Sequence, residues 1–94
     1  MHTLKRKNIT FDPVKAEKNI AKHGVSLADA VTLEWDDAII WPGQRHDYGE
    51  QPLAGLGYIG DRLFSVVFVD RNEERRIISL RRANQREVKR YAQT

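Results

Sequence analysis

The chain has no cysteine, so it forms no disulfide, carries no thiol nucleophile and builds no cysteine-ligated zinc site. That lack is compatible with a reducing cytoplasm, which is the expected location. Long apolar runs are missing too: nothing approaches the ~20 residues that a membrane span requires. The basic start, Met1-His2-Thr3-Leu4-Lys5-Arg6-Lys7-Asn8, has no apolar core of the kind a secretory signal needs. No internal repeat, linker or low-complexity segment is present. What remains is a 94-residue chain, 40% apolar and 31% charged, which fits one small globular domain with a modest core. Residues 1–8 are expected to form a flexible basic N-terminus and residues 9–94 a single domain.

Net charge is only +3, but it is unevenly spread. Residues 1–24 carry net +4, residues 25–70 net −6 and residues 71–94 net +5. Blocks of opposite sign either fold against each other as surface ion pairs or make one basic and one acidic face. A basic face attracts a phosphate backbone; an acidic one suits a basic partner protein.

Ile9 to Phe11 reads as a short strand. Asp12-Pro13 then supplies an N-cap and a first helical residue, and the helix runs to His23 before Gly24, which ends it in the left-handed conformation. Ser26 and Asp29 form a variant capping box, and Leu27, Ala30, Val31 and Trp35 fall at helical spacing, predicting a second helix. Ala38 to Trp41 is a short apolar strand or crossing segment, and residues 43–52 form a loop. Leu53–Gly60, Leu63–Val69 and Arg75–Arg81, separated by Gly60-Asp61-Arg62 and Asp70-Arg71-Asn72-Glu73, predict an antiparallel meander. Asn84 with Glu87 opens a terminal helix whose apolar stripe is only Val88 and Tyr91, so it lies lightly on the sheet or against a partner.

The last quarter places guanidinium groups on a rigid element. Strict alternation along the strand puts Arg75, Ile77, Ser79 and Arg81 on one face and Arg76, Ile78, Leu80 and Arg82 on the other. Without a bulge, Arg76, Arg81 and Arg82 cannot all reach one phosphate.

These residues resemble a known family. Asp12-Pro13 with Lys15, Ala16 and Asn19, then Lys22-His23-Gly24-Val25-Ser26 with Ala30, and finally Arg76-Ile77-Ile78-Ser79 with Arg81, Ala83, Glu87 and Tyr91 look like the BrnT toxins of type II toxin-antitoxin systems, from about Phe11 to Tyr91. The resemblance implies an α+β, RelE-like fold: N-terminal helices packed on a mainly antiparallel sheet, with a short C-terminal helix. It implies a metal-independent endoribonuclease without cofactor that inhibits translation until a BrnA-type antitoxin binds it in a 2:2 complex, DNA being contacted only through the antitoxin. The chain departs from the family at Glu50-Gln51-Pro52, where an arginine is common at position 51. It also carries Arg82 for a common lysine, which keeps the charge, and Leu80 for a common alanine.

Metal-free RNA cleavage needs a group to take the 2′-OH proton, a cation for the pentacoordinate phosphate and a donor for the leaving 5′-oxygen. His23, at a helix C-terminus, is a candidate acid, and its other reading is a plain helix cap. Glu50 is the candidate base, or else a solvated loop carboxylate. His46-Asp47 stands in reserve. Arg62 and Arg81 are candidate phosphate clamps, since the guanidinium fork donates two parallel hydrogen bonds. Lys22, Arg76, Arg82, Arg86 and Tyr91 are candidate RNA contacts, with Tyr91 also read as packing on the sheet. Trp35 and Trp41 read as core or interface anchors. Two rival readings stand beside the ribonuclease: a non-catalytic nucleic-acid-binding module and a protein-interaction subunit.

Overall fold

The computed structural model describes residues 7–44 and 50–94. Strand β1 (Asn8–Thr10) leads into helix α1 (Pro13–His23), two short 3-10 helices (Leu27–Thr32 and Trp35–Asp37), strands β2 (Ile39–Pro42), β3 (Leu53–Ile59), β4 (Arg62–Arg71) and β5 (Glu74–Arg82), and helix α2 (Gln85–Ala92). The strands form one five-stranded sheet in the order β1-β5-β4-β3-β2. The meander and β2 pair antiparallel, and β1 closes the far edge parallel to β5 through Asn8 to Thr10 against Glu74 to Arg76. Asn8 thus belongs to the sheet, and Lys7 already reaches back to the Asn72 carbonyl at 3.1 Å. The rest of the basic N-terminal segment, like His46-Asp47, lies outside the described residues.

The caps of α1 are those the sequence predicts. The Asp12 side chain accepts from the Val14 N–H at 2.8 Å, and Gly24 adopts φ 73° while donating to Ile20. The second α-helix does not form. Leu27, Ala30 and Leu33 recur every third residue and are all at least 96% buried, which is the period of a 3-10 helix, where side chains three apart eclipse. Val31, which α-helical spacing would place on the core side, is 61% exposed. The segment then ends on tertiary bonds: the Glu34 N–H donates to Tyr58 on the edge of β3 at 2.8 Å, and the Trp35 indole N–H to the Ala30 carbonyl at 3.0 Å.

The hydrophobic cluster joins Ala16, Val25, Leu27, Ala30 and Leu33 to Phe64, Val66, Phe68, Ile77 and Leu80 on one face of the sheet. Trp35 packs edge-on against Phe68 with ring centres 5.2 Å apart. Gly57 sits under this layer: a Cβ there would lie 2.6 Å from Leu33 Cδ2 and 3.2 Å from Ala38 Cβ, so only glycine lets the 3-10 segment approach the sheet so closely. The other face carries Leu56, Leu63, Ser65, Val67 and Val69, by alternation from the core-facing residues. Helix α2 has no buried residue and is held there by its side chains: Tyr91 meets the Tyr58 ring edge-on at 5.4 Å and donates to the Asp37 carbonyl at 3.0 Å, and Arg90 stacks 3.8 Å over Trp41.

Candidate functional site

A bulge decides which arginines share a face. Phe68 pairs with Ile77 while Val67 pairs with Ser79, leaving Ile78 as the extra residue in β5. Alternation restarts after it. Ile77 and Leu80 therefore both point into the core, 1% and 0% exposed, although strict alternation separates them. Arg76 (opposite Val69) and Arg81 (opposite Ser65) come onto the same face, the one turned away from α1, whereas Arg75 and Arg82 share the core side. The expected division of Arg76 from Arg81 is thus overturned, and the pairing of Arg76 with Arg82 is broken. Their partners Val69 and Ser65 are four steps apart on the unbulged β4, roughly 13 Å, so Arg76 and Arg81 address different phosphates.

Arg81, a candidate phosphate clamp, also has a firm structural partner. Its Nη1 and Nη2 donate to the two Glu87 carboxylate oxygens at 2.8 and 2.9 Å, and Nη1 also reaches the Arg82 carbonyl at 3.2 Å. Glu87 is itself fixed by the capping box of α2: its carboxylate accepts from the Asn84 N–H at 2.9 Å, and its own N–H donates to the Asn84 side chain at 2.9 Å. The Arg81 guanidinium beside it holds the Glu87 carboxyl below its ordinary value, and Glu87 in turn raises that of Arg81. Glu87 occupies the end of the Arg81 fork. The Nε–H and one Nη2–H on its side make no bond among the described residues, so that edge of the fork keeps two donors for an oxyanion. Beyond it, Asn84, Gln85, Arg86 and Lys89 line a shallow groove at the start of α2.

At the other end of the same face Glu50 pairs with Arg71, whose Nε donates to Oε2 at 3.0 Å and whose Nη2 donates to Oε1. That hydrogen-bonded pair, with the Arg71 charge and then the Arg76 charge, holds the Glu50 carboxyl below its ordinary value. Glu50 is consequently ionised near neutrality, able to accept a proton but a weaker base for its arginine neighbours. Arg76, which makes no ion pair among the described residues, adds its charge to those that favour the Glu50 carboxylate.

The remaining sequence candidates lie elsewhere. His23 and Lys22 end α1 on the core side of the sheet. Arg62 is the exposed first residue of β4 rather than a turn residue, since the turn is Gly60-Asp61 with Gly60 at φ 62°. It points to the core side with Phe64, as does Arg82 opposite Phe64. His23, Arg62 and Arg82 are therefore not brought together with Glu50 or Arg81. Arg86 is exposed on α2, and the Tyr91 hydroxyl is engaged by Asp37. Arg75, which no reading singled out, is bidentate on Asp70 at 2.8 and 2.9 Å and sits 4.5 Å over Trp35, a structural link between the sheet and the 3-10 layer.

Arg71 and Glu87 were missed as site residues. The Glu87 capping box was visible in sequence, but its second duty to Arg81, six residues upstream, required the β5–α2 corner. Nothing local signals a Glu50–Arg71 pair, whose members are 21 residues apart.

A family model for the ribonuclease toxin BrnT of type II toxin-antitoxin systems matches residues 11–87. The crystal structure of the ribonuclease toxin BrnT from Brucella abortus, at 1.1 Å resolution, is similar to this chain with a TM-score of 0.66 and 30% sequence identity. The match covers 84% of this chain and 99% of that one. Comparison with curated proteins gives no match.

Proposed function

The chain belongs to the BrnT family of ribonuclease toxins of type II toxin-antitoxin systems, and we propose that it cleaves RNA without metal, in a RelE-like arrangement, along the sheet face that carries Glu50, Arg76 and Arg81. The observation that carries this reading is the bulge at Ile78, which brings Arg76 and Arg81 onto one face. A single RNA strand lying along β5 meets Arg76 at one phosphate and the open side of Arg81 at another, with Arg86 and Lys89 extending the basic track. Glu50 takes the 2′-OH proton, and Arg76 beside it stabilises the charge on the pentacoordinate phosphate. Attack of the 2′-oxygen expels the 5′-oxygen and leaves a 2′,3′-cyclic phosphate, the leaving oxygen taking its proton from solvent. Cleavage of cellular RNA inhibits translation, and a BrnA-type antitoxin, bound in a 2:2 complex in the cytoplasm, restrains it.

One observation favours a second reading, a nucleic-acid-binding module without catalysis: His23, the candidate acid, is on the other side of the sheet, and Glu50 is held by Arg71. The test is incubation of the purified chain with a defined RNA in the presence of a chelator. Cleavage to cyclic-phosphate ends supports the ribonuclease; intact RNA bound tightly and released by salt supports the module.

A further inference from the structure

On the core side of the sheet, where β5 begins, a cleft of about 900 Å³ runs alongside the 3-10 segment. Its residues reach from Ile9 on one edge strand to Ile40 on the other, four inter-strand spacings or roughly 19 Å. Val31, Leu33, Trp35 and Ile40 give it an apolar lining, and Val31 and Ile40 remain 61% and 41% exposed. Val31 and Ile40, both exposed and both lining one cleft, offer apolar surface that a partner's side chains would cover.

The charge of the cleft selects its occupant. Glu34, Asp36 and Asp37 line one end, and among the described residues none of their carboxylates makes an ion pair or side-chain hydrogen bond. The two cations at the opposite end are already committed: Arg75 is bidentate on Asp70, and Lys7 lies 3.6 Å from the same carboxylate. Phosphate is repelled from the acidic rim, so RNA is excluded and a basic polypeptide is attracted. At 1.5 Å per residue, about 13 residues of helix span the length.

We propose that this cleft is the docking site of the antitoxin, which lays in it an amphipathic helix with apolar residues on the Val31–Ile40 lining and lysines or arginines against Glu34, Asp36 and Asp37. The proposal rests on the reading of the chain as a toxin restrained by a protein antitoxin. Because the cleft and the Arg76–Arg81 face lie on opposite sides of the sheet, this helix anchors the antitoxin and leaves inhibition to the remainder of its chain.

The test titrates the cognate BrnA-type antitoxin into the wild-type protein, Val31→Glu and Asp36→Lys, by calorimetry, with circular dichroism confirming that each variant is folded. Both variants are expected to raise Kd by roughly tenfold or more, to cleave RNA as wild type does when free, and to escape antitoxin concentrations that silence the wild type. Wild-type affinity in both variants overturns the proposal while leaving the toxin–antitoxin reading intact. Failure of the wild type itself to bind the antitoxin overturns that reading and the proposal with it. Self-association of the wild-type chain that Val31→Glu abolishes assigns the cleft to a second copy and overturns the antitoxin as its occupant.

Discussion

Asn19, on α1, hydrogen-bonds both backbone groups of Leu80: its Nδ2 donates to the carbonyl at 2.8 Å, and the Leu80 N–H donates to its Oδ1 at 3.3 Å. The same Nδ2 donates to Val25 at 2.7 Å, and the side chain is buried. β1 pairs with β5 only as far as Arg76, so one asparagine takes over the edge where that strand has ended. Asn19→Ala strands two carbonyls and an amide, and buried unsatisfied groups cost about 1–3 kcal/mol each. We expect a loss of roughly 2–4 kcal/mol, read as a fall in Tm of about 10 °C or more. Asn19→Asp should do no better, because a carboxylate cannot donate to either carbonyl. Unchanged Tm in both variants would remove this role.

Arg81 is fastened by Glu87 in a way that leaves its side edge open, and the consequence is specific to arginine. Arg81→Ala should lower kcat/KM for RNA cleavage about 10- to 100-fold through weaker binding, the scale for losing a hydrogen-bonded contact to a charged group. Arg81→Lys should recover little of it, because an ammonium group cannot hold Glu87 and a phosphate in the same fork. Single-turnover cleavage of a short RNA measures both. Full activity in Arg81→Ala together with a dead Arg76→Ala would confine catalysis to the Glu50 end of the face.

Local chemistry accounts for how far the sequence could be read. Asp12-Pro13, Gly24, and Asn84 with Glu87 act within one turn of backbone, and each forms the cap its residues predict. The meander follows from alternation and turn residues, and β4 and β5 extend past the predicted ends because Asn72, at φ 54°, makes the turn tighter than its composition indicates. Two features escaped. The 3-10 segment satisfies an α-helical and a threefold pattern at once, and burial of Leu33 against Gly57 decides between them. Ile78 is indistinguishable in sequence from the isoleucine before it, so the bulge, and with it the face of every arginine beyond, depends on pairing with β4.

Gly57 supplies a direct check on that packing. Gly57→Ala drives a methyl to within 2.6 Å of the Leu33 side chain, which is 4% exposed, so the side chain or the sheet must shift. Overpacking of this kind costs typically about 1–3 kcal/mol. Chemical denaturation should show that loss, and Leu33→Ala introduced into the same variant should remove the clash, so that the double mutant is less destabilised than the sum of the singles. Strict additivity would mean that the two sites do not meet.

Two buried-side carboxylates make stability depend on acid. Glu87 lies below its ordinary value because of Arg81. For Asp70, burial opposes ionisation, but the hydrogen bonds and charges of Arg75 and Lys7 together outweigh it and also hold the carboxyl low. A carboxyl whose folded value is depressed stabilises the fold above its unfolded value, about 4.3 for Glu and about 3.9 for Asp, and loses that contribution as pH falls through the folded value. Tm should therefore be level from neutrality to about pH 5 and fall below it, with a shallower fall in Glu87→Gln. An identical acid slope in wild type and Glu87→Gln would exclude Glu87 from the effect.

The same sign governs catalysis if Glu50 is the base. Arg71 favours the ionised carboxylate through its hydrogen bonds and charge, so Glu50 stays competent below the usual glutamate value and its reactivity is correspondingly reduced. Removing the partner in Arg71→Ala lets the carboxyl rise toward its ordinary value. The acid limb of kcat/KM for cleavage of a short RNA should then shift to higher pH, while the plateau rises with the stronger base provided that positioning is kept. Glu50→Gln should abolish the plateau and leave no limb for Arg71 to move. An acid limb that Arg71→Ala leaves in place would assign the proton transfer to another group and reduce the Glu50–Arg71 pair to a clasp between the central loop and β4.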